Sequence, residues 1–248
     1  MKLVSYSGGL GSFMAAYLVR NENAKLIFTD TKTEDPDLYR FLNETSKALG
    51  LELITLADGR NIWEVFEDVK FMGNSRIDPC SRVLKRELFR DYVDKNYSIE
   101  NDTIVFGIDH REAHRMETIS KRWAPWKTEA PLCQTKLNRE DILDALDSLK
   151  IEPPKLYEMG FPHNNCGGFC VKTGQKQMAL LFSKMPDRYK WHEEQQEKLF
   201  AKIGSNHGFI RRTEKGEMKY LSLKQFREFL ESGGAPEMWN QEGCGCFV

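Results

Sequence analysis

The sequence predicts an α/β protein: a parallel twisted sheet of about five strands with helices on both faces. Three observations predict it. Short apolar or β-branched runs alternate with amphipathic helical patterns through the first 150 residues. Two of those runs are followed closely by a glycine turn, at Gly8 and Gly107. The residues able to do chemistry fall just after strands or at helix starts, where open α/β sheets bind ligands.

The elements follow in order. Leu3 to Tyr6 reads as a buried strand, and Phe13 to Arg20 as a helix rich in Ala, Met and Leu. Lys25 to Thr29 is a second strand. Asp37 to Leu49 is a helix with Leu38, Phe41, Leu42 and Leu49 as its apolar stripe. Leu51 to Leu56 and Thr103 to Phe106 supply two more strands. After Asp147 the texture changes. Pro153, Pro154 and Pro162 forbid a long helix, and helical patterns resume at Thr173 to Lys184, Asp187 to Ile203 and Ser222 to Glu231. Residues 1–150 are therefore expected to form a nucleotide-binding α/β domain. Residues 151–248 are expected to be a cysteine-bearing helical elaboration packed on it.

Composition excludes several classes. The chain has 248 residues, 40% hydrophobic and 29% charged, so fibrous and disordered readings fail. No apolar run approaches the ~18 residues of a membrane span, and the start lacks a signal-peptide pattern, so a cytoplasmic location is expected. With 36 basic and 37 acidic residues, broad electrostatic coating of nucleic acid is disfavoured; a local basic patch is not. Six cysteines in such a chain read as thiols, a metal site or redox chemistry rather than disulfide staples.

Ser7, Gly8, Gly9, Leu10, Gly11 and Ser12 lie between the first strand and the first helix. Glycines let backbone approach a phosphate, and a helix N-terminus aims free N–H groups at it. The loop lacks the lysine of a Walker A motif and the spacing of a dinucleotide fingerprint. A plain tight turn is the alternative.

This loop resembles that of the PP-loop superfamily, the adenine nucleotide α-hydrolase-like enzymes with Ser-Gly-Gly-x-x-Ser. Three further segments narrow the resemblance to the phosphoadenylylsulfate reductase branch. They are Phe28-Thr29-Asp30-Thr31 with Glu34, Pro36 and Tyr39; Gly107 to Arg115; and Pro131-Leu132 with Asn138 to Ile142. The resemblance implies a HUP or Rossmann-like sheet and adenine nucleotide (ATP, or a phosphoadenylyl- or adenylylsulfate) in the loop. It places Asp30 and Thr31 near adenine or ribose, and Gly107, Arg111 and Arg115 at nucleotide and substrate. Many ATP-cleaving members carry Asp at the position of Gly11, where it manages magnesium. Sulfonucleotide reductases do not. Magnesium here would rest on Asp30, Asp109 or Glu112.

The cysteines extend the resemblance. Cys80 within Asp78 to Lys85, and Cys166 and Cys170 in a Cys-x₃-Cys spacing, are similar to cysteines that hold a [4Fe–4S] cluster in iron–sulfur adenylylsulfate reductases. Cys80, Cys166 and Cys170 are thus three candidate ligands, and Lys85 matches the family lysine. Cys244 is the candidate fourth ligand. Cys244 and Cys246, in a loose echo of the family's Glu-Cys-Gly tail, are alternatively the nucleophile. Soft thiolates select zinc or an iron–sulfur cluster, and spacing does not separate the two. Cys133, in an apolar setting, reads as packing.

Basic and aromatic features carry two readings each. Arg82, Lys85 and Arg86 at i, i+3, i+4 form either a cationic wall or a solvated face. Arg111 and Arg115 share a helical face at i, i+4. Trp123 and Trp126 stack on a base or pack in a core. His192 with Glu193 and Glu194 reads as an exposed helix face. Arg211, Arg212, Lys215 and Lys219 read as a turn between two short strands, solvated or touching a polyanion.

Two chemistries and one non-catalytic role are expected from the resemblance. The first is ATP-dependent activation of an oxygen on a nucleobase or nucleic-acid backbone. It is coupled to sulfur transfer through an iron–sulfur cluster, with a nucleic-acid substrate or sulfur-donor protein as partner. The second is sulfonucleotide reduction by a tail cysteine. The third is a nucleotide-binding sensor or subunit.

Overall fold

The computed structural model describes residues 1–214 and 216–237. Its centre is a five-stranded, all-parallel sheet, ordered β3-β2-β1-β4-β5. The strands are β1 (Lys2–Ser5), β2 (Ala24–Asp30), β3 (Glu52–Ala57), β4 (Thr103–Val105) and β5 (Lys127–Glu129). Side chains alternate across the sheet, as a period of two requires. Val4, Leu26, Phe28 and Val105 face one core with Phe13, Phe41 and Leu146; Leu3, Ile27 and Ile104 face the other with Phe89 and Trp123. Helices α1 (Leu10–Val19), α2 (Pro36–Leu49) and α7 (Arg139–Ser148) cover the first face; α5 (Leu88–Asn96) and α6 (Arg115–Trp123) cover the second.

The five-stranded parallel sheet agrees with the sequence expectation, but its fifth strand was not legible. Lys127–Glu129 is a short polar edge without an apolar run. Trp123 and Trp126 are 1% and 4% exposed and pack in the second core, the Trp126 indole donating to Asp94 at 2.5 Å.

Strand order reverses between β1 and β4, which pair with each other while the chain winds outward from each. Such a switch point opens a crevice beyond the carboxyl ends of the strands. The loop Ser7 to Ser12 leaves β1 there, and Phe106-Gly107 leaves β4 beside it.

A third core gathers the C-terminal elements: α8 (Lys155–Glu158), α9 (Gln175–Lys184), α10 (Pro186–Ile203), the β6–β7 hairpin (Ile210–Glu214, Glu217–Leu221) and α11 (Leu223–Glu231). It also recruits α3 (Ile62–Asp68) and Leu84 from the first half of the chain, so the expected division at residue 150 does not separate the cores. The buried stripe of α10 is Tyr189, His192, Gln196 and Leu199. His192 is therefore not on an exposed face. Its Nδ1 accepts the Trp63 indole N–H at 3.0 Å, its ring stacks on Phe169 at 3.9 Å, and burial holds the imidazole well below its ordinary pKa. Two polar residues on the buried stripe hid this from pattern reading. Among the described residues no helix is long and apolar enough to cross a membrane.

Candidate functional site

At the β1/β4 switch point lies a cavity of about 150 Å³. Ser7, Gly9, Leu10, Gly11 and Ser12 form one wall, Phe106, Gly107 and Ile108 a second, and Tyr157, His163 and Asn164 a third. Lys85, Glu112 and Arg115 complete it. Helix α1 opens on Gly9 with no capping side chain and no acid in its first turn, leaving its N-terminal field open to an anion.

The loop is held rigidly. Ser12 Oγ donates to the Gly9 carbonyl at 2.9 Å and Ser7 Oγ donates to Ser12 Oγ at 3.2 Å. The Leu10 amide donates to the Tyr157 hydroxyl, and buried Asn164 donates to the Gly8 carbonyl. Gly107 sits directly against this loop. A β-carbon there would lie 2.5 Å from the Ser12 nitrogen, and one at Gly11 would lie 2.8 Å from the Gly107 carbonyl oxygen. Any side chain at position 11 or 107 must push the strand-end backbones apart.

A second cavity, of about 20 Å³, is lined by Cys80, Cys166 and Cys170 together with Thr31, Asp78 and Lys85. The three cysteines singled out in the sequence thus converge on one small space. Short helix α4 (Pro79–Ser81) brings Cys80, and a π-helical segment, Arg82–Glu87, continues directly from it into α5. Because that segment bonds i to i+5, side chains do not follow α-helical spacing. Hence Arg82, Lys85 and Arg86 do not share one face. Arg82 is exposed and pairs with Glu87, Arg86 pairs with Asp78 at 3.1 Å, and Lys85 is buried. Cys166 begins a 3₁₀ turn, Cys166–Gly168, with φ of 51°. Gly167 also has positive φ, and the Arg188 guanidinium occupies the space its β-carbon would need.

Glu34 ties these parts together. One carboxylate oxygen accepts the Thr31 hydroxyl at 2.9 Å and lies 3.7 Å from Lys85 Nζ; the other accepts the Cys166 amide. Lys85 Nζ is 3.8 Å from Cys166 Sγ. Lys85 therefore lines both cavities, its charge balanced by one buried carboxylate and set beside one thiol.

The other expected site residues divide. Arg115 lines the phosphate cavity, paired with Glu112. Arg111 belongs to a separate 3₁₀ turn, His110–Glu112, and its mostly exposed side chain pairs with Asp109, outside the cavity. The two arginines lie on different elements, so the i, i+4 face expected for them does not form. Asp30 accepts from Lys32 and Tyr39 at the end of β2, and neither Asp30 nor Thr31 lines the phosphate cavity. Cys133 is half-buried and donates to the Ile108 carbonyl, and its thiol is pushed up by burial and by Asp109 and Glu112. Cys244 and Cys246 lie outside the described residues.

Pattern reading assigned no role to Tyr157, His163 or Asn164. For His163 and Asn164 the signal was the polar run His163-Asn164-Asn165 immediately before Cys166; Tyr157 had none. Burial depresses the His163 imidazole below its ordinary pKa, against the pull of Glu112.

A metal or cluster can be tested against the donors. Three thiols are the right donor type. The space is not: about 20 Å³ holds roughly one water, and among the described residues no three His, Cys, Asp or Glu side chains are placed to hold a metal ion.

A switch-point cavity with an uncapped helix, a glycine-tightened loop and two lining cations, Lys85 and Arg115, suits the phosphate of a nucleotide, and the family-model match places the chain in the PP-loop, sulfurtransferase- and reductase-like class of nucleotide-binding enzymes. The chain belongs to the phosphoadenosine phosphosulfate reductase domain family, whose model matches residues 2–207. Its fold is similar to that of phosphoadenylyl-sulfate reductase from Candida auris (13% identity, 64% of this chain and 78% of that one, TM-score 0.44). It is also similar to a predicted tRNA methyltransferase subunit from Methanocaldococcus jannaschii (20% identity, 59% and 76%, TM-score 0.39). A third is the U34-tRNA thiolase NcsA from Methanococcus maripaludis with its [4Fe–4S] cluster (15% identity, 95% and 82%, TM-score 0.38). No curated protein sequence matches the chain.

Proposed function

We propose that the protein is a sulfonucleotide reductase, acting on phosphoadenylylsulfate or adenylylsulfate through a cysteine of its C-terminal tail. The observation that carries this is the contact between Gly11 and Gly107. The position that holds a magnesium-managing Asp in many ATP-cleaving relatives is closed here by backbone, 2.8 Å from a hypothetical β-carbon. The lining offers Lys85 and Arg115 to an anion, and its one carboxylate, Glu112, is engaged by Arg115.

The nucleotide's 5′-phosphate occupies the loop, against the α1 N-terminus, with the sulfo group toward Lys85 and Arg115. A thiolate of Cys244 or Cys246 attacks the sulfur. The S–O bond to the phosphate breaks, and the phosphate leaves with the electron pair. Lys85 and Arg115 stabilise charge on the departing and transferred oxygens. The cysteine then carries an S-sulfonate. A thiolate of an external dithiol attacks the cysteine sulfur, sulfite departs with the pair, and the second thiol of that donor resolves the disulfide. Two thiols are oxidised and one sulfur(VI) becomes sulfur(IV). The last described residue, Glu237, is bonded to Thr213 and Gln175.

Sulfite release from phosphoadenylylsulfate and adenylylsulfate, with ATP as control, tests the proposal. Sulfite formation lost in Cys244→Ser/Cys246→Ser supports it; ATP turnover without sulfite formation overturns it.

A second reading is favoured by the convergence of Cys80, Cys166 and Cys170 on one cavity. In this reading the three thiols would be cluster ligands, a role the small space between them here does not by itself accommodate, and the step above does not run through a cluster. Iron and acid-labile sulfide in protein purified without oxygen, lost in Cys166→Ser, support this reading. A colourless, iron-free protein that still releases sulfite removes it.

A further inference from the structure

A cavity lined by basic residues lies apart from both sites. It is a groove of about 410 Å³ between residues 70–76, the end of α10 and the β6–β7 hairpin. Its cations are Lys70, Arg76 and Arg211, and no carboxylate lines it. Among the described residues none of the three is in an ion pair, whereas acids on adjoining elements are taken: Glu214 by Lys219 at 2.6 Å, and Glu67 by Lys202. In a chain of net charge −1, this is a local concentration of uncompensated positive charge.

The same groove exposes rings. Phe71 is 39% and Tyr220 41% exposed, and His207 lies beside Tyr220 with ring centroids 5.1 Å apart. Rings and cations thus share one concave surface. Cations that take phosphates, interleaved with rings that take bases, are what a single strand of nucleic acid requires. A free mononucleotide would use one ring and one cation and leave most of the groove unused. The wall of residues 70–76 runs on into Asp78 and Cys80, which line the cysteine cavity, so a strand seated here lies along the segment that reaches the site.

We infer that this groove binds single-stranded nucleic acid, with Lys70, Arg76 and Arg211 on its phosphates and Phe71 and Tyr220 stacked on its bases. The inference does not depend on the reductase reading, because none of these residues lines either cavity described above.

Fluorescence anisotropy with labelled oligouridylate and oligothymidylate of about 12 nucleotides tests it. Three phosphate contacts give a log–log salt slope near −2, so affinity falls about 20-fold between 50 and 200 mM salt. Arg76→Gln/Arg211→Gln lowers affinity and cuts that loss to about threefold. Tyr220→Ala weakens binding about tenfold at either salt, and Tyr220→Phe restores it. These side chains are exposed, and unchanged adenine-nucleotide affinity at the phosphate loop confirms that the variants are folded. A stronger signal from either oligonucleotide identifies RNA or DNA as the source. Binding absent at 50 mM salt, insensitive to these variants, or equally tight for duplex overturns the inference.

Discussion

The phosphate cavity and the cysteine cavity are joined at Lys85 and built from different materials. The first is made of backbone: a helix N-terminus, a loop braced by its own serines, and two glycines in mutual contact. The second is made of side chains: three thiols line it with the Lys85 ammonium, which pairs with buried Glu34. Backbone sites hold their shape whatever is bound, because moving them means moving strands. Side-chain sites depend on each partner keeping its charge, and they can open. On the proposed function, the rigid cavity selects the anion and the adaptable one adjoins the chemistry.

The largest expected effect comes from the shared residue. Lys85→Met removes a cation from both cavities and takes from buried Glu34 its ion-pair partner at 3.7 Å, leaving it Arg188 as a neighbouring cation. Sulfite formation should fall about 10²–10³-fold, and urea unfolding should show a loss of about 3–5 kcal/mol. Adding Glu34→Gln should return much of the stability without the turnover. Recovery of both together would mean that Lys85 is structural only.

Next in size is the glycine contact. Gly107→Ala sets a methyl 2.5 Å from the Ser12 nitrogen, so it should cost about 1–3 kcal/mol in stability. Nucleotide affinity by calorimetry should weaken at least tenfold, while the cysteine cavity keeps its thiol reactivity. Equal damage to both cavities would break the distinction between them.

Tyr157→Phe removes the hydroxyl that accepts the Leu10 amide at 3.2 Å. A cost of about 1 kcal/mol, or fivefold in nucleotide Kd, is expected; no change in Kd would show that Tyr157 only packs.

The smallest effect is in pH. His163 is neutral near pH 7 because burial depresses its pKa. Without ligand, the stability it contributes is held above its unfolded value of about 6.5 and lost as pH falls through the folded one. A bound anion favours the imidazolium, so nucleotide affinity should be flat from pH 8 to 7. Below that it should rise about two- to threefold, and His163→Gln should remove the rise. Calorimetry across that range checks it.

Much of the architecture was legible because strong signals are local. Alternating runs gave β1 to β4, α1 and α2, and the loop Ser7 to Ser12 announced the switch-point cavity. Polar edge strand β5 carried no such signal. Helical spacing failed where the helix is π-helical, so the shared face of Arg82, Lys85 and Arg86 dissolved while Lys85 turned inward. His192 looked solvated beside two glutamates, since no local pattern shows that α3 and Phe169 cover it. Cys80, Cys166 and Cys170 were visible one by one. Their convergence on one cavity is a long-range contact, and a sequence states no distances.

Mass spectrometry of the protein mixed with phosphoadenylylsulfate in the absence of any dithiol tests the central claim most directly. The account predicts one equivalent of sulfonate on the peptide carrying Cys244 and Cys246, with stoichiometric release of the nucleotide. An unmodified tail with intact nucleotide, alongside ATP cleaved by the same protein, would contradict it.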